Sequence, residues 1–321
     1  MGKQERQNIN YYLRPAKSIE RKFFCDIFRK LEVFSPLRDY QYIGMGSKYF
    51  VDFTLFHKEL GISKMYSIEG NASSEQEQNR FEFNKPFKCI NMVFKSSSNA
   101  INDINWNTKS IVWLDYDEIF SRSNLHDIKN IVLNLLPHSV LLVTCNGNYS
   151  PDDQTDDRFE VFKKEFEDDV PMGTKKNQIV NKLFHQLVNE MINNKIQEAL
   201  IEKNASISDD NEKMIFKQLV YFTYKDGSPM VTIGGVFIGK RDEEIFNNTN
   251  FYDFFFNNNI AHPYDIYLPN LTYKELQKIN TQLPCENWSD INLFGLREED
   301  LKIYMELYRY YPFYMESRFT G

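Results

Sequence analysis

Four stretches of this sequence hold residue types that could do chemistry together. The first is Gly44-Met45-Gly46-Ser47, a glycine turn that follows the short apolar run Tyr40–Ile43. Without a Cβ, Gly44 and Gly46 let the backbone turn tightly and come close to a ligand. Ser47 stands where the N-cap of the next helix pattern belongs, so its hydroxyl can take a free backbone N–H. The open N–H groups there suit a carboxylate or phosphate. The second is Glu69, 23 residues after Gly46, at the end of the short strand pattern Met65–Ile68. A carboxylate at that strand tip can accept both hydrogen bonds of a ribose diol.

The third stretch is Asp115-Tyr116-Asp117, which ends the near-continuous apolar run Ser110–Leu114. Asp115 is the first residue there free to face a crevice at the strand's carboxyl end. Two neighbouring carboxylates need a cationic or hydroxyl partner, or their repulsion raises one pKa. Asp117 is the candidate base or orienter for a substrate hydroxyl, with Tyr116 beside it as a second candidate catalytic group. The alternative for Asp117 is a helix N-cap with Glu118 in the first turn. Oxygen ligands at Asp115, Asp117 and Asn146 would suit Mg²⁺, but no metal is assigned. The fourth stretch is the basic side of an early helix pattern, with Arg14, Lys17, Arg21, Lys22 and Arg29. It is either an ordinary solvated face or a lid helix that brings Tyr12 or Lys17 to a ligand.

The elements that must position these groups follow from periodicity. Ile19, Phe23, Phe24, Ile27, Phe28 and Leu31 share one helix face that Ser18 can cap. The glycine turn leads into a helix with Phe50, Phe53, Leu55, Phe56 and Leu60, stopped by Gly61. Strand patterns at Cys89–Phe94, Ser110–Leu114 and Ser139–Thr144 alternate with helix patterns at Ser73–Asn84, Ala100–Ile104 and Leu125–Leu136. Such alternation implies a parallel sheet with right-handed crossovers. An acidic, broken stretch over 149–177, with a helix near Phe159–Phe166, reads as a long loop suited to a substrate lid. After the helix Ile179–Ile201, two β-rich runs, Met214–Tyr224 and Met230–Gly239, flank Lys225-Asp226-Gly227-Ser228-Pro229 and read as a hairpin. Three units are expected: residues 1–37 as an N-terminal lid and helix, 38–240 as the α/β domain, and 241–321 as a helical, aromatic-rich appendage on the hairpin edge. The appendage's Tyr304–Tyr314 cluster either joins the core or meets a protein partner or second copy.

Composition removes some classes. With 321 residues the chain can bury a sizeable core. Net charge is −7, from 38 basic and 45 acidic residues, so non-specific nucleic-acid binding is disfavoured. Cys25, Cys89, Cys145 and Cys285 form no CxxC pair, and the five histidines do not pair at metal spacing. The polar N-terminus does not read as a signal peptide. No apolar run approaches the ~18 residues of a membrane span, so a cytoplasmic location is expected. Gly234–Lys240 matches GxxxxGK, but it lies inside a strand pattern and lacks the following Ser/Thr.

Five parallel strands ending in an antiparallel hairpin resemble the class I S-adenosylmethionine-dependent methyltransferases, over residues 38–240. The turn WLDYD (113–117) and the N-terminal helix are similar to small-molecule O-methyltransferases. The resemblance implies a doubly wound, mostly parallel seven-stranded α/β sheet and S-adenosyl-L-methionine as cofactor. It implies that Tyr42–Ser47 lie under the methionine portion, that Glu69 holds the ribose, that Ser96 and its neighbours lie at the adenine edge, and that Asp115 and Asp117 face the methyl and amino groups. The sequence departs from the family pattern at three places. Gln41-Tyr42 replaces the acid before the turn, Tyr49-Phe50 the third glycine, and Lys95-Ser96 the acid after the third strand. The expected activity is methyl transfer to an oxygen or nitrogen of a small-molecule, protein or nucleotide acceptor. A nicotinamide-dependent oxidoreductase, which shares the glycine turn and the acid, and a non-catalytic binding module are the alternatives.

Overall fold

The computed structural model describes residues 14–116, 118–149, 157–180 and 183–312. Tyr12, Asp117, Pro151, Phe313 and Tyr314 lie outside the described residues. Helix α1 (Pro15–Lys30) starts with proline at its first turn, where a missing N–H costs nothing. Its next two N–H groups, of Ala16 and Lys17, donate to the Asp226 carboxylate at 3.1 and 2.8 Å. Ser18 therefore sits inside the helix, four residues past the N-cap Arg14.

Strand β1 (Gln41–Gly44) and helix α2 (Val51–Leu60) follow, then β2 (Lys64–Ile68), α3 (Glu75–Asn84) and β3 (Ile90–Val93). Gly61 ends α2 at φ +71°, a backbone shape that costs glycine little. Helix α3 carries a capping box from Ser74 and Glu77. Next come α4 (Ser97–Ala100), β4 (Ser110–Asp115), α5 (Arg122–Asn134), β5 (Val140–Asn146), α6 (Arg158–Phe166) and α7 (Phe184–Asn204). The chain then forms β6 (Met214–Lys225), β7 (Pro229–Gly239), α8 (Glu243–Asn248), β8 (Tyr264–Ile266), α9 (Tyr273–Asn280) and α10 (Glu298–Leu307).

All strands join one sheet in the order β3-β2-β1-β4-β5-β7-β6-β8. Strands β1 to β5 are mutually parallel, and β7 is antiparallel to both β5 and β6. The doubly wound α/β class and the terminal hairpin are as expected. The sheet has eight strands rather than seven, because three residues of the tail pair in parallel with β6, Phe222 opposite Tyr264. A three-residue strand is too short to show a period in sequence. The glycines of the GxxxxGK match lie within β7, where a Cβ on Gly234 or Gly235 would collide with the backbone of Leu141 or Lys217. They permit close strand pairing.

One sheet face is covered by α1 and α2 through Phe23, Phe24, Phe28, Phe53 and Phe56, and the other by α5, α6 and α7. Strand order reverses between β1 and β4, so their carboxyl ends diverge into a crevice, the usual ligand position in open α/β sheets. Register places Gly44 opposite Trp113 and Asp115 opposite Thr144. The first part of the tail shares the α1 core. Phe23 stacks on Phe256 at 4.0 Å between centroids and meets Tyr310 edge-on at 4.8 Å. A smaller core of Leu276, Ile279, Ile291, Leu301 and Tyr304 holds α9 and α10 together. Among the described residues no helix is long and apolar enough to cross a membrane.

Candidate functional site

The glycine turn is folded around its own side chains. A Cβ on Gly44 would run into the Tyr42 ring, and one on Gly46 would lie 2.8–2.9 Å from Phe53, Ser67 Oγ and Phe50. The Gly46 N–H donates to Ser67 Oγ at 3.2 Å. A short 3₁₀ turn, Ser47–Tyr49, separates Gly46 from α2, and Phe50, at φ +47°, occupies the N-cap position. Ser47 is thus not the helix N-cap; its hydroxyl accepts from Tyr49 N at 3.4 Å. Met45 is half-buried and packs against the core on the opposite face from Tyr42.

Tyr42 does not line the crevice. It is fully buried and donates its phenol hydrogen to Asp52 Oδ2 on α2. Alternation along β1 turns this side chain under the helices, which is why it covers Gly44 instead of a ligand. Burial raises the Asp52 carboxyl, with Arg21 and the Tyr42 bond opposing the rise.

Glu69 and Ser96 are brought together. Glu69 N–H donates to Val93 O at 3.0 Å, and its Oε1 accepts from Ser67 Oγ at 3.3 Å. Gly70 lies flat on the start of α4, where a Cβ would stand 3.1 Å from Ser96 Cα. The Ser96 side chain is exposed.

Across the crevice, Asp115 meets Lys17. The Lys17 ammonium is fully buried. It lies 2.8 Å from Asp115 Oδ1, 2.9 Å from Tyr224 Oη and 2.9 Å from Glu20 Oε2. It also stands 4.2 Å from the Trp113 ring centroid. The ammonium donates hydrogen bonds to Asp115 Oδ1 and Tyr224 Oη; Glu20 Oε2 stands at ion-pair distance without accepting a hydrogen bond. Lys17 acts here as the counter-ion of Asp115. The sequence reading left that partner to a bound molecule; the fold supplies one from its own first helix. Burial alone would raise the Asp115 carboxyl, but Lys17, Arg14 and Arg21 outweigh it and hold the group below its ordinary value. Asp115 is 14% exposed, and its Oδ2 has no hydrogen bond among the described residues.

A buried polar chain continues behind this pair. Glu20 accepts from the Thr232 hydroxyl, which shares a 2.8 Å contact with Thr144 Oγ1, which accepts from Trp113 Nε1 at 2.9 Å. Burial pushes Glu20 above its ordinary pKa, and Lys17 only partly offsets this.

Tyr116 turns the other way. Its phenol donates to Asp127 Oδ2 on α5 at 2.8 Å, and Ser97 and Ser98 donate to the same carboxylate. It pins the start of α4 to α5 and does not reach the Lys17–Asp115 pair. Among the described residues no group of three or more His, Cys, Asp or Glu could hold a metal. Glu20, Asp52 and Thr232 went unnoticed in sequence, and Asp226 read only as part of the hairpin turn. The available signals were an acid inside each apolar helix face, at Glu20 and at Asp52.

A family model described as "Putative O-methyltransferase" matches residues 9–319. No curated protein matches the sequence. Among solved structures, the chain is similar to a "putative S-adenosylmethionine dependent methyltransferase" from Listeria monocytogenes, at 11% identity over 66% of this chain and 97% of that one, TM-score 0.37. It is also similar to a "putative O-methyltransferase" from Klebsiella pneumoniae, at 8% identity over 71% and 90%, TM-score 0.35. A third similarity is to Trm1 from Pyrococcus horikoshii with S-adenosyl-L-methionine, at 10% identity over 68% and 56%, TM-score 0.40.

Proposed function

The chain belongs to the family described as "Putative O-methyltransferase" that spans residues 9–319, and on that premise we propose that it moves a methyl group from S-adenosyl-L-methionine to an oxygen of a small molecule. The observation that carries the reading is Asp115, an ionised carboxylate at the tip of β4 with Oδ2 unused among the described residues. The donor set fits the cofactor. Glu69 suits its ribose diol, the exposed Ser96 suits the adenine edge, and Asp115 Oδ2 suits its ammonium. When bound, S-adenosyl-L-methionine supplies an electrophilic methyl on a sulfonium.

The protein's own part is positioning and charge. Lys17 and Asp226 are positioning residues: Asp226 fixes the start of α1, and Lys17 then fixes Asp115. Holding the donor in line with an acceptor oxygen removes much of the barrier before reaction. Asp117, outside the described residues, is proposed as the base that takes the acceptor's hydroxyl proton. If the tail meets a protein partner or a second copy, its exposed Tyr267, Tyr273 and Phe294 would form the contact.

Calorimetry with S-adenosyl-L-methionine, S-adenosylhomocysteine and NAD tests the assignment. Binding of either sulfur ligand with Asp115-dependent affinity is expected. Tight NAD binding without either would overturn it in favour of an oxidoreductase.

A further inference from the structure

Helices α1 and α2 leave a groove between them of about 210 Å³, lined by Ser18, Arg21 and Lys22 on one side and Val51, Thr54, Leu55, Lys58 and Glu59 on the other. It is smaller than the ~300–1,000 Å³ typical of drug-sized ligands, so its occupant must be compact. Arg21 is only 5% exposed, yet its Nε finds no hydrogen-bond partner among the described residues. Asp52 and Asp115 act on Arg21 from the sheet side, but neither is within ion-pair distance of it. Lys22 is also partly desolvated and, among the described residues, donates only to the Tyr310 carbonyl, at 2.7 Å. The single acid of the groove, Glu59, is drawn away to Arg29 at 3.1 Å.

A buried donor without an acceptor, as Arg21 Nε is, is costly, and an arginine fork matches a carboxylate in shape and charge. Val51 and Leu55 offer a short apolar wall beside it. Two features tie the groove to the site. Ser18 follows Lys17 in the chain, and Val51 is the first residue of the helix that leaves the glycine turn.

We propose that the α1–α2 groove binds a small organic carboxylate through Arg21, and that this anion is the anchoring end of the methyl acceptor. The inference rests on the methyl-transfer reading above. Its test is calorimetric titration of the protein saturated with S-adenosylhomocysteine, using 4-hydroxybenzoate and its uncharged counterpart, phenol. Expected is about tenfold tighter binding of 4-hydroxybenzoate, the worth of a charge-assisted hydrogen bond. Arg21→Gln should abolish that preference in protein kept saturated with S-adenosylhomocysteine. Because Arg21 is buried, Lys58→Glu on the exposed rim provides a second variant that leaves the core intact; it should weaken 4-hydroxybenzoate and not phenol. Equal binding of the two probes, no binding of 4-hydroxybenzoate at millimolar concentration, or a preference that survives both substitutions would overturn the proposal. Failure of S-adenosylhomocysteine to bind the parent protein would instead overturn the methyl-transfer reading on which it stands.

Discussion

Lys17→Met isolates the charge arrangement at the crevice. The substitution keeps an unbranched apolar stem of similar length and removes the ammonium that serves Asp115, Glu20 and Tyr224 together. Removing one partner of a buried ion pair costs about 3–5 kcal/mol, because the other charge is left uncompensated. For a protein of this size that corresponds to roughly 6–10 °C in Tm, at about 2 °C per kcal/mol. The loss should depend on pH. In the parent, Glu20 has a raised folded pKa, so its stability contribution is full below the ordinary value and declines as pH rises through the folded one. Asp115 has a lowered folded pKa, so its contribution is full above the ordinary value and declines as pH falls through the folded one. Without Lys17 both carboxyls should rise, and both should then destabilise the fold as pH increases. Thermal unfolding followed by circular dichroism at pH 5 and pH 8 should show the larger deficit at pH 8. Adding Glu20→Gln to Lys17→Met should recover part of it. A variant within about 1 kcal/mol of the parent, or one with the same deficit at both pH values, would refute the assignment of Lys17 as the shared counter-ion.

Asp115→Ala should weaken S-adenosyl-L-methionine binding by about 2–3 kcal/mol, the cost of a lost charged hydrogen bond. Asp117→Ala should leave that affinity nearly intact and abolish methyl transfer; parent-like binding in both variants would argue for a non-catalytic module. Asp226→Ala removes both side-chain acceptors from the start of α1 and should cost about 1–2 kcal/mol of stability, read from the urea midpoint. Tyr116→Phe should lower stability by about 1 kcal/mol through its bond to Asp127 and leave turnover intact; loss of turnover in a folded variant would restore the phenol to the catalytic group.

The order of elements was legible in the sequence because each signal is local. Gly61, the Ser74 and Thr272 capping boxes and the hairpin around Asp226-Gly227 act within a few residues of themselves. The run Ser110–Leu114 has no polar break because β4 is covered on both faces. Glu69 and Asp115 could be placed at strand tips for the same reason, since a run of apolar residues ends where burial ends. Side-chain direction was another matter. Tyr42, inside β1, and Tyr116, just past the end of β4, stand beside the right motifs, but one side chain runs under α2 and the other toward α5. Nothing short of the packed layers reveals that. The partner of Asp115 depends on α1 lying across the sheet, with its first N–H groups held by Asp226 some 210 residues away. Lys17 read either as one more cation on a basic face or as a candidate catalytic residue brought to a ligand by a lid helix, because the sequence shows which helix carries a charge but not what that helix is pressed against. Only the tertiary structure closes that distance, and it turns a surface pattern into a buried counter-ion.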